Sequence, residues 1–362
     1  MAVRVLVVDD AVVFRRAITD ALAGVPDVEV VGTAANGKIA LSRLRALKPD
    51  LMTLDVEMPE MNGIEVLEQM RAENLDTGVI VLSALTVKGG ELTIRALELG
   101  AFDFLTKPEG GTAERNIGVL RSQLLPLIVA FKRRREVREQ KRSGTPKAIP
   151  LAAPPPDVAV ATRPSLRGGA PIVLIGVSTG GPAALASLLP GLPAGLAAPV
   201  LIVQHMPPLF TRPLAESLAR KSAMPVKEAS DGEQARNGCA YVAPGGRQMK
   251  LTRGPTGEVV IRITDDPAEN NCKPAVDYLF RSAALQFPGR AVAAILTGMG
   301  NDGTQGLRLL KRGGCRSIAQ DEASCVVFGM PKEAIQAGVV DVIAPLHRIA
   351  AAIVAAVGGA AL

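Results

Sequence analysis

The sequence predicts an α/β protein built from two doubly wound parallel-sheet domains, the second larger and carrying a β-hairpin region. Short apolar runs alternate with helix-period stretches over most of the chain, the pattern of parallel strands covered by helices. A Pro- and Ala-rich passage, "TPKAIPLAAPPPDVAVATRPSLRGG", interrupts that alternation. It has too little apolar periodicity to bury a core and reads as a linker. The 362 residues suit two domains and a connection, at roughly 150 residues per domain. The expected division is 1–131, a basic and Pro-rich linker at 132–169, and 170–362.

In the first domain the apolar runs Val3–Val8, Val28–Ala34, Leu51–Leu54, Val79–Leu82 and Phe102–Thr106 read as strands. Helix-period stretches separate them, and a last helix is expected from about Glu114 to Phe131. Five βα units in this span have the size of a flavodoxin-like domain. In the second domain, strands are expected at Ile172–Val177, Val200–Gln204, Ala291–Leu296, Arg316–Ala319 and Val339–Ile343. Between them Ala240–Val242, Met249–Thr252 and Val259–Ile263 have hairpin character.

Composition narrows the function classes. The net charge is +6, but residues 132–142 ("KRRREVREQKR") hold seven basic and two acidic side chains, leaving +1 for the rest. The basic balance is local, and no recognition helix or aromatic stacking platform accompanies it, so nucleic acid is not an expected partner. No apolar run reaches the ~18 residues of a membrane span, so no direct membrane insertion is expected. The opening "MAVRVLVVDD" begins a strand and lacks a signal-peptide pattern. Cys239, Cys272, Cys315 and Cys325 show neither CxxC pairing nor zinc spacing, and read as reduced thiols of a cytoplasmic protein.

Two sets of strand ends carry chemistry. In an open parallel sheet, ligands bind outside the carboxyl ends of the strands. Asp9 and Asp10 end the first strand and Asp55 the third. Three carboxylates gathered there repel one another unless a cation joins them, and Mg²⁺ suits one or two carboxylates plus a phosphate. Lys107 ends the fifth strand, where its ammonium can neutralise phosphate oxygens, with a cis bond to Pro108 as one way to aim it. Ser83 ends the fourth strand with a hydroxyl within reach of the same phosphate. The plainer alternative is that such acids cap the helices next in the chain.

In the second domain, "GVSTG" at 176–180 fits G-x-S-x-G, which sets a serine, Ser178, on a tight strand-to-helix turn beside unpaired N–H donors. A serine nucleophile needs a base, and the chain has only His205 and His347. The order Ser, Asp, His selects His347. Strand-end geometry selects His205, in "VQHMPP", because triads are defined by roles rather than chain order. "LTGMGNDG" spells G-x-G-x-x-G at 298–303, with Asp321 about 20 positions downstream, as in a dinucleotide site. Asp302 lies inside that loop, where its carboxylate would repel a pyrophosphate on a helix N-terminus. As the partner of an imidazole it has a task. A nicotinamide-dependent oxidoreductase and a phosphorylation-dependent binding protein remain as rival readings.

"VVDD", "LDVEMPEMNG", "VLSAL" and "FDFLTKP" together resemble a response-regulator receiver domain. "IGVSTGGPAAL", "QHMPP", "LTGMGNDG" and "AQDEASCVVFGMP" resemble the catalytic domain of the chemotaxis protein-glutamate methylesterases, the CheB family. The resemblance implies that Asp55 accepts phosphate from a chemotaxis histidine kinase. It also implies that Mg²⁺ sits on Asp10 and Asp55, with Asp9 assisting and Glu57 offering its carbonyl. Ser83 and Phe104 match the switch pair. It further implies a phosphorylation-regulated serine hydrolase acting on chemoreceptor cytoplasmic helices, with receptor-glutamine deamidation besides. Ser178 would be nucleophile, His205 base and Asp302 its partner. Met299 would act at the oxyanion site and Thr179 in support, with no cofactor for the esterase reaction. One stretch departs: in "NNCKPAVDYLF" this chain has Cys272-Lys273 where the family often shows His-Arg.

Overall fold

The computed structural model describes residues 2–142 and 170–359, so the expected linker beyond Arg142 lies outside the described residues. The chain divides into two compact units, Met1–Arg134 and Arg135–Leu362.

The first unit alternates β1 (Val3–Val8), α1 (Val12–Leu22), β2 (Val28–Ala34), α2 (Gly37–Leu47), β3 (Leu51–Asp55), α3 (Gly63–Ala72), β4 (Gly78–Ser83), α4 (Val87–Glu98), β5 (Asp103–Thr106) and α5 (Ala113–Arg142). The strands form one parallel sheet in the order β2-β1-β3-β4-β5. Every residue of β3 is buried, as in a sheet covered on both faces. The order reverses between β1 and β3, so the crevice at their carboxyl ends opens where Asp9, Asp10 and Asp55 lie. α3 starts with a full capping box, Asn62 accepting from Glu65 N while the Glu65 carboxylate accepts from Asn62 N.

Two expectations for this unit are corrected. α5 does not end near Phe131 but continues through the basic stretch to Arg142. Lys, Arg, Glu and Gln are good helix formers, so a dense charge run need not stop a helix. The cis peptide among the described residues is Lys273–Pro274, not Lys107–Pro108.

The second unit contains β6 (Ile172–Val177), α6 (Gly181–Leu188), β7 (Val200–Gln204), α7 (Thr211–Lys221), β8 (Val226–Glu228), β9 (Ala240–Val242), β10 (Gln248–Arg253), β11 (Val259–Thr264), α8 (Val276–Gln286), β12 (Ala291–Ile295), α9 (Thr304–Arg312), β13 (Arg316–Gln320), α10 (Met330–Gln336), β14 (Val342–Ala344) and α11 (Leu346–Val357). Seven strands make a parallel sheet in the order β14-β13-β12-β6-β7-β9-β8. β10 and β11 form a separate antiparallel hairpin. Ala240–Val242 therefore belongs to the main sheet and not to the hairpin region. It is three residues long and wholly buried, too short for its pattern to tell a parallel strand from a hairpin arm. The last strand begins at Val342 rather than Val339.

β6, β7 and β12 are buried along their whole length. The order reverses between β6 and β12, which puts the second crevice beside Val177 and Ile295. α8 packs on β10 and on α9, and its Phe280 is fully buried in the core with Leu279, Phe287 and Leu307. Truncating Phe280→Ala removes a ring from a site without solvent access. We expect a loss of about 3–5 kcal/mol, read as a lowered midpoint in chemical denaturation.

Candidate functional site

The first crevice gathers its acids around one lysine. The Lys107 ammonium donates to Asp55 Oδ2 at 2.7 Å and lies 2.8 Å from Asp9 Oδ2. Asp55 Oδ1 accepts from Glu57 N and Asp9 Oδ1 from Ala11 N. Arg15 donates to the backbone carbonyls of Asp9 and Asp10 and, among the described residues, not to their carboxylates. One cation thus faces two buried carboxylates, with exposed Asp10 beside them. Burial raises the Asp55 carboxyl to about 6 despite its bonds to Lys107. Burial likewise raises Asp9, and among the described residues no well-directed hydrogen bond reaches its Oδ2.

Asp9, Asp10 and Asp55 each offer an oxygen within 4.8 Å of the others. An under-neutralised all-oxygen set of this kind fits a hard divalent cation. Ser83 is buried at the end of β4, its hydroxyl donating to the Gly89 carbonyl at 3.1 Å. Phe104 is half-buried on β5.

In the second unit, β6 and β7 pair with Val177 opposite Gln204. The next residues, Ser178 and His205, therefore leave neighbouring strands side by side. His205 N donates to Val177 O at 3.1 Å, and Gln204 Nε2 ties down the Ser178 carbonyl at 3.0 Å. Ser178 N donates to Thr297 O at 3.0 Å, binding the turn to the loop after β12. That approach needs Gly298, since a Cβ there would lie 2.8 Å from Ser178 Cβ.

Asp302 reaches the imidazole: its Oδ2 accepts from His205 Nε2 at 2.8 Å. The same oxygen accepts from Val276 N (2.7 Å), and Oδ1 accepts from Asp277 N (2.9 Å) and Asn270 Nδ2 (3.0 Å). Burial would raise this carboxyl, but the His205 bond and charge with the two backbone donors hold it below its ordinary value. His205 is pulled both ways. Burial lowers it, but the bond to Asp302 and then the Cys272 sulfur, 3.6 Å from Nδ1, lift it to about 9. Among the described residues the Ser178 hydroxyl has no hydrogen-bond partner, and the N–H groups of Thr179 and Met299 donate to no protein acceptor.

The Gly298–Gly303 loop thus delivers a carboxylate to a ring. Asp321, the would-be ribose ligand, accepts from Ser324 N and Oγ within its own turn. His347 is exposed at the start of α11.

The supports of these side chains were not expected from the sequence. Asn270 bridges Asp302 and Asp277 through Nδ2, and Asp277 Oδ1 in turn accepts from Gly306 N at 2.7 Å. Thr297 Oγ1 donates to Thr179 O and accepts from Val326 N and Val327 N. The pair Asn270-Asn271 was a usable signal, because both adopt left-handed φ of +51° and +58°, which Asn tolerates better than most residues.

The chain matches two known domain families. Residues 5–114 match the response regulator receiver domain and 173–353 match the CheB methylesterase domain. A protein-glutamate methylesterase/protein-glutamine glutaminase of Desulfotalea psychrophila is 49% identical over 354 residues, covering 97% of each chain. One from Bacillus subtilis is 45% identical over 361 residues, covering 98% of each. Among solved structures, the Thermotoga maritima CheB methylesterase catalytic domain is 42% identical at a TM-score of 0.51, covering 52% of this chain and 98% of that one. With a G-x-S-x-G turn, a ring and a carboxylate on one sheet edge, and with relatives that span its length, this chain belongs to the CheB family of receiver-linked protein-glutamate methylesterases.

Proposed function

We propose that the second unit hydrolyses γ-glutamyl methyl esters on the cytoplasmic helices of methyl-accepting chemoreceptors, and deamidates glutamines there, under control of phosphorylation at Asp55. The observation that supports this is the in-register pairing of β6 and β7, from whose adjacent ends Ser178 and His205 follow, with Asp302 hydrogen-bonded to Nε2 of the ring.

Because an ionised carboxylate only accepts, Nε2 of His205 carries the proton and Nδ1 is left for catalysis. Ser178 Oγ attacks the ester carbonyl as its proton passes to Nδ1. The oxygen of the tetrahedral intermediate takes hydrogen bonds from the N–H of Met299, with Thr179 in support. The intermediate collapses as His205 returns the proton to the leaving oxygen, and methanol departs. Water then attacks the acyl-serine by the same relay, freeing the glutamate. With a glutamine substrate the leaving group is ammonia and the steps are otherwise the same. Asp302 keeps the ring in one tautomer and stabilises imidazolium without taking its proton.

In the first unit, Asp55 is the phosphate acceptor and a chemotaxis histidine kinase its donor. Asp10 and Asp55, with Asp9 and the Glu57 carbonyl, would hold Mg²⁺, which when bound neutralises charge on the incoming phosphoryl oxygens. Lys107 supplies the fixed counter-charge, and Ser83 turns from Gly89 O to a phosphate oxygen, with Phe104 moving in concert. Phosphorylation relieves inhibition of the hydrolase by the receiver, a shift in a two-state equilibrium.

Three outcomes test the reading on methyl-labelled receptors. Ser178→Ala should lower methanol release by ~10⁴-fold or more while leaving the circular dichroism spectrum unchanged. Since His205 sits above its ordinary value, at about 9, only ~1% of it is the neutral base at pH 7. kcat/KM should therefore rise about tenfold per pH unit below about 9 and level off above. A small-molecule phosphoryl donor with Mg²⁺ should accelerate the wild type, and Asp55→Asn should abolish that acceleration without lowering the basal rate.

A further inference from the structure

Both ring nitrogens of His205 are engaged before any substrate arrives. Nε2–H donates a hydrogen bond to Asp302, so Nδ1 is the nitrogen left to serve Ser178. Cys272 Sγ lies 3.6 Å from that Nδ1 and 3.4 Å from the Asn270 carbonyl oxygen. A thiol has one proton and two useful directions for it. When the ring is neutral, S–H donates to Nδ1. When the ring is charged, Nδ1–H donates to sulfur and S–H turns to Asn270 O. Sulfur therefore satisfies either state, and in both it covers the atom that must receive the serine proton.

The backbone holds Cys272 there. Glu269 and Cys272 exchange N–H···O bonds in both directions, 3.1 and 2.7 Å, across Asn270 and Asn271 in left-handed conformation. Arg281 Nη1 pins Glu269 at 3.0 Å. Asn270 spans Asp302 and Asp277 from the same turn. One turn thus braces the carboxylate on one side of the ring and places a thiol on the other. Among the described residues, the charged or titratable groups facing His205 are Asp302, from the loop before α9, and Cys272, from the loop before α8. Asp277, at the start of α8, faces Asn270 and Gly306 instead.

We propose that Cys272 is a positioning residue that latches His205: its sulfur holds Nδ1 in the resting site and must release it before Ser178 can be deprotonated. The kinetic half of this rests on the serine-hydrolase reading above, and the ring contact does not. The latch favours the charged ring, because Nδ1–H···S and S–H···O=C of Asn270 are then both made, against the single S–H···Nδ1 bond of the neutral ring, in line with the upward displacement of His205.

The chain has two histidines, so proton NMR of full-length protein tracks each ring, with His347→Gln assigning the signals. Cys272→Ala should lower the His205 titration midpoint by about one pH unit, and Cys272→Ser, nearly isosteric, should restore part of the difference. At neutral pH the alanine variant should raise kcat up to about tenfold, the same shift expressed as base fraction, with KM little changed. An unmoved midpoint in both variants overturns the latch whatever the turnover. A lowered midpoint with kcat unchanged overturns its kinetic role. Failure of the hydrolase reading appears separately, as turnover that survives Ser178→Ala. Should alanine loosen the turn, the serine variant carries the comparison.

Discussion

The second unit is organised around one buried carboxylate. Asp302 is 3% exposed, yet it stays ionised because four donors converge on its two oxygens: two backbone N–H groups, an amide and the imidazole. A carboxylate without such partners would be expensive in a low-dielectric site and would take up a proton. Both backbone donors come from the first residues of α8, where helical N–H groups have no intrahelical partner. The helix end that needs an acceptor and the carboxylate that needs donors satisfy one another. The ring inherits its orientation from that exchange.

The first unit solves a similar problem differently. Asp9 and Asp55 are as deeply buried as Asp302, but a single ammonium serves both and fewer backbone donors help. Their carboxyls are raised while that of Asp302 is lowered. The contrast separates two uses of buried acid. One is fully satisfied by protein and held still. The other is left short of positive charge, which suits the cation and phosphoryl group proposed for it.

Much of this is legible in the residues because it lies at strand ends. Runs such as Val3–Val8 and Ile172–Val177 are apolar enough to name as strands, and the residues just beyond them must sit at the sheet's edge. Ser178, His205 and Asp55 are therefore placed by strand reading alone. The supports are not, because they come from turns whose geometry no periodicity encodes. Asn270 meets Asp302 across 32 residues of sequence, through a loop that reads only as polar. Cys272 is visible as an unusual residue but not as a neighbour of the ring, since contact between two loops depends on how far each reaches. Short strands fail for a related reason: Ala240–Val242 carries too few residues for parallel and antiparallel pairing to differ in pattern.

The pairing of β6 with β7 has a consequence for how the chain must assemble. A slip of one residue would move His205 along the sheet by about 3.3 Å and turn its side chain to the opposite face, away from both the hydroxyl and the carboxylate. On the proposed mechanism, chains that collapse with those strands misaligned would be compact and inert. Turnover per mole of protein is thus a direct gauge of the correctly threaded population, finer than any spectroscopic signal that registers only secondary structure.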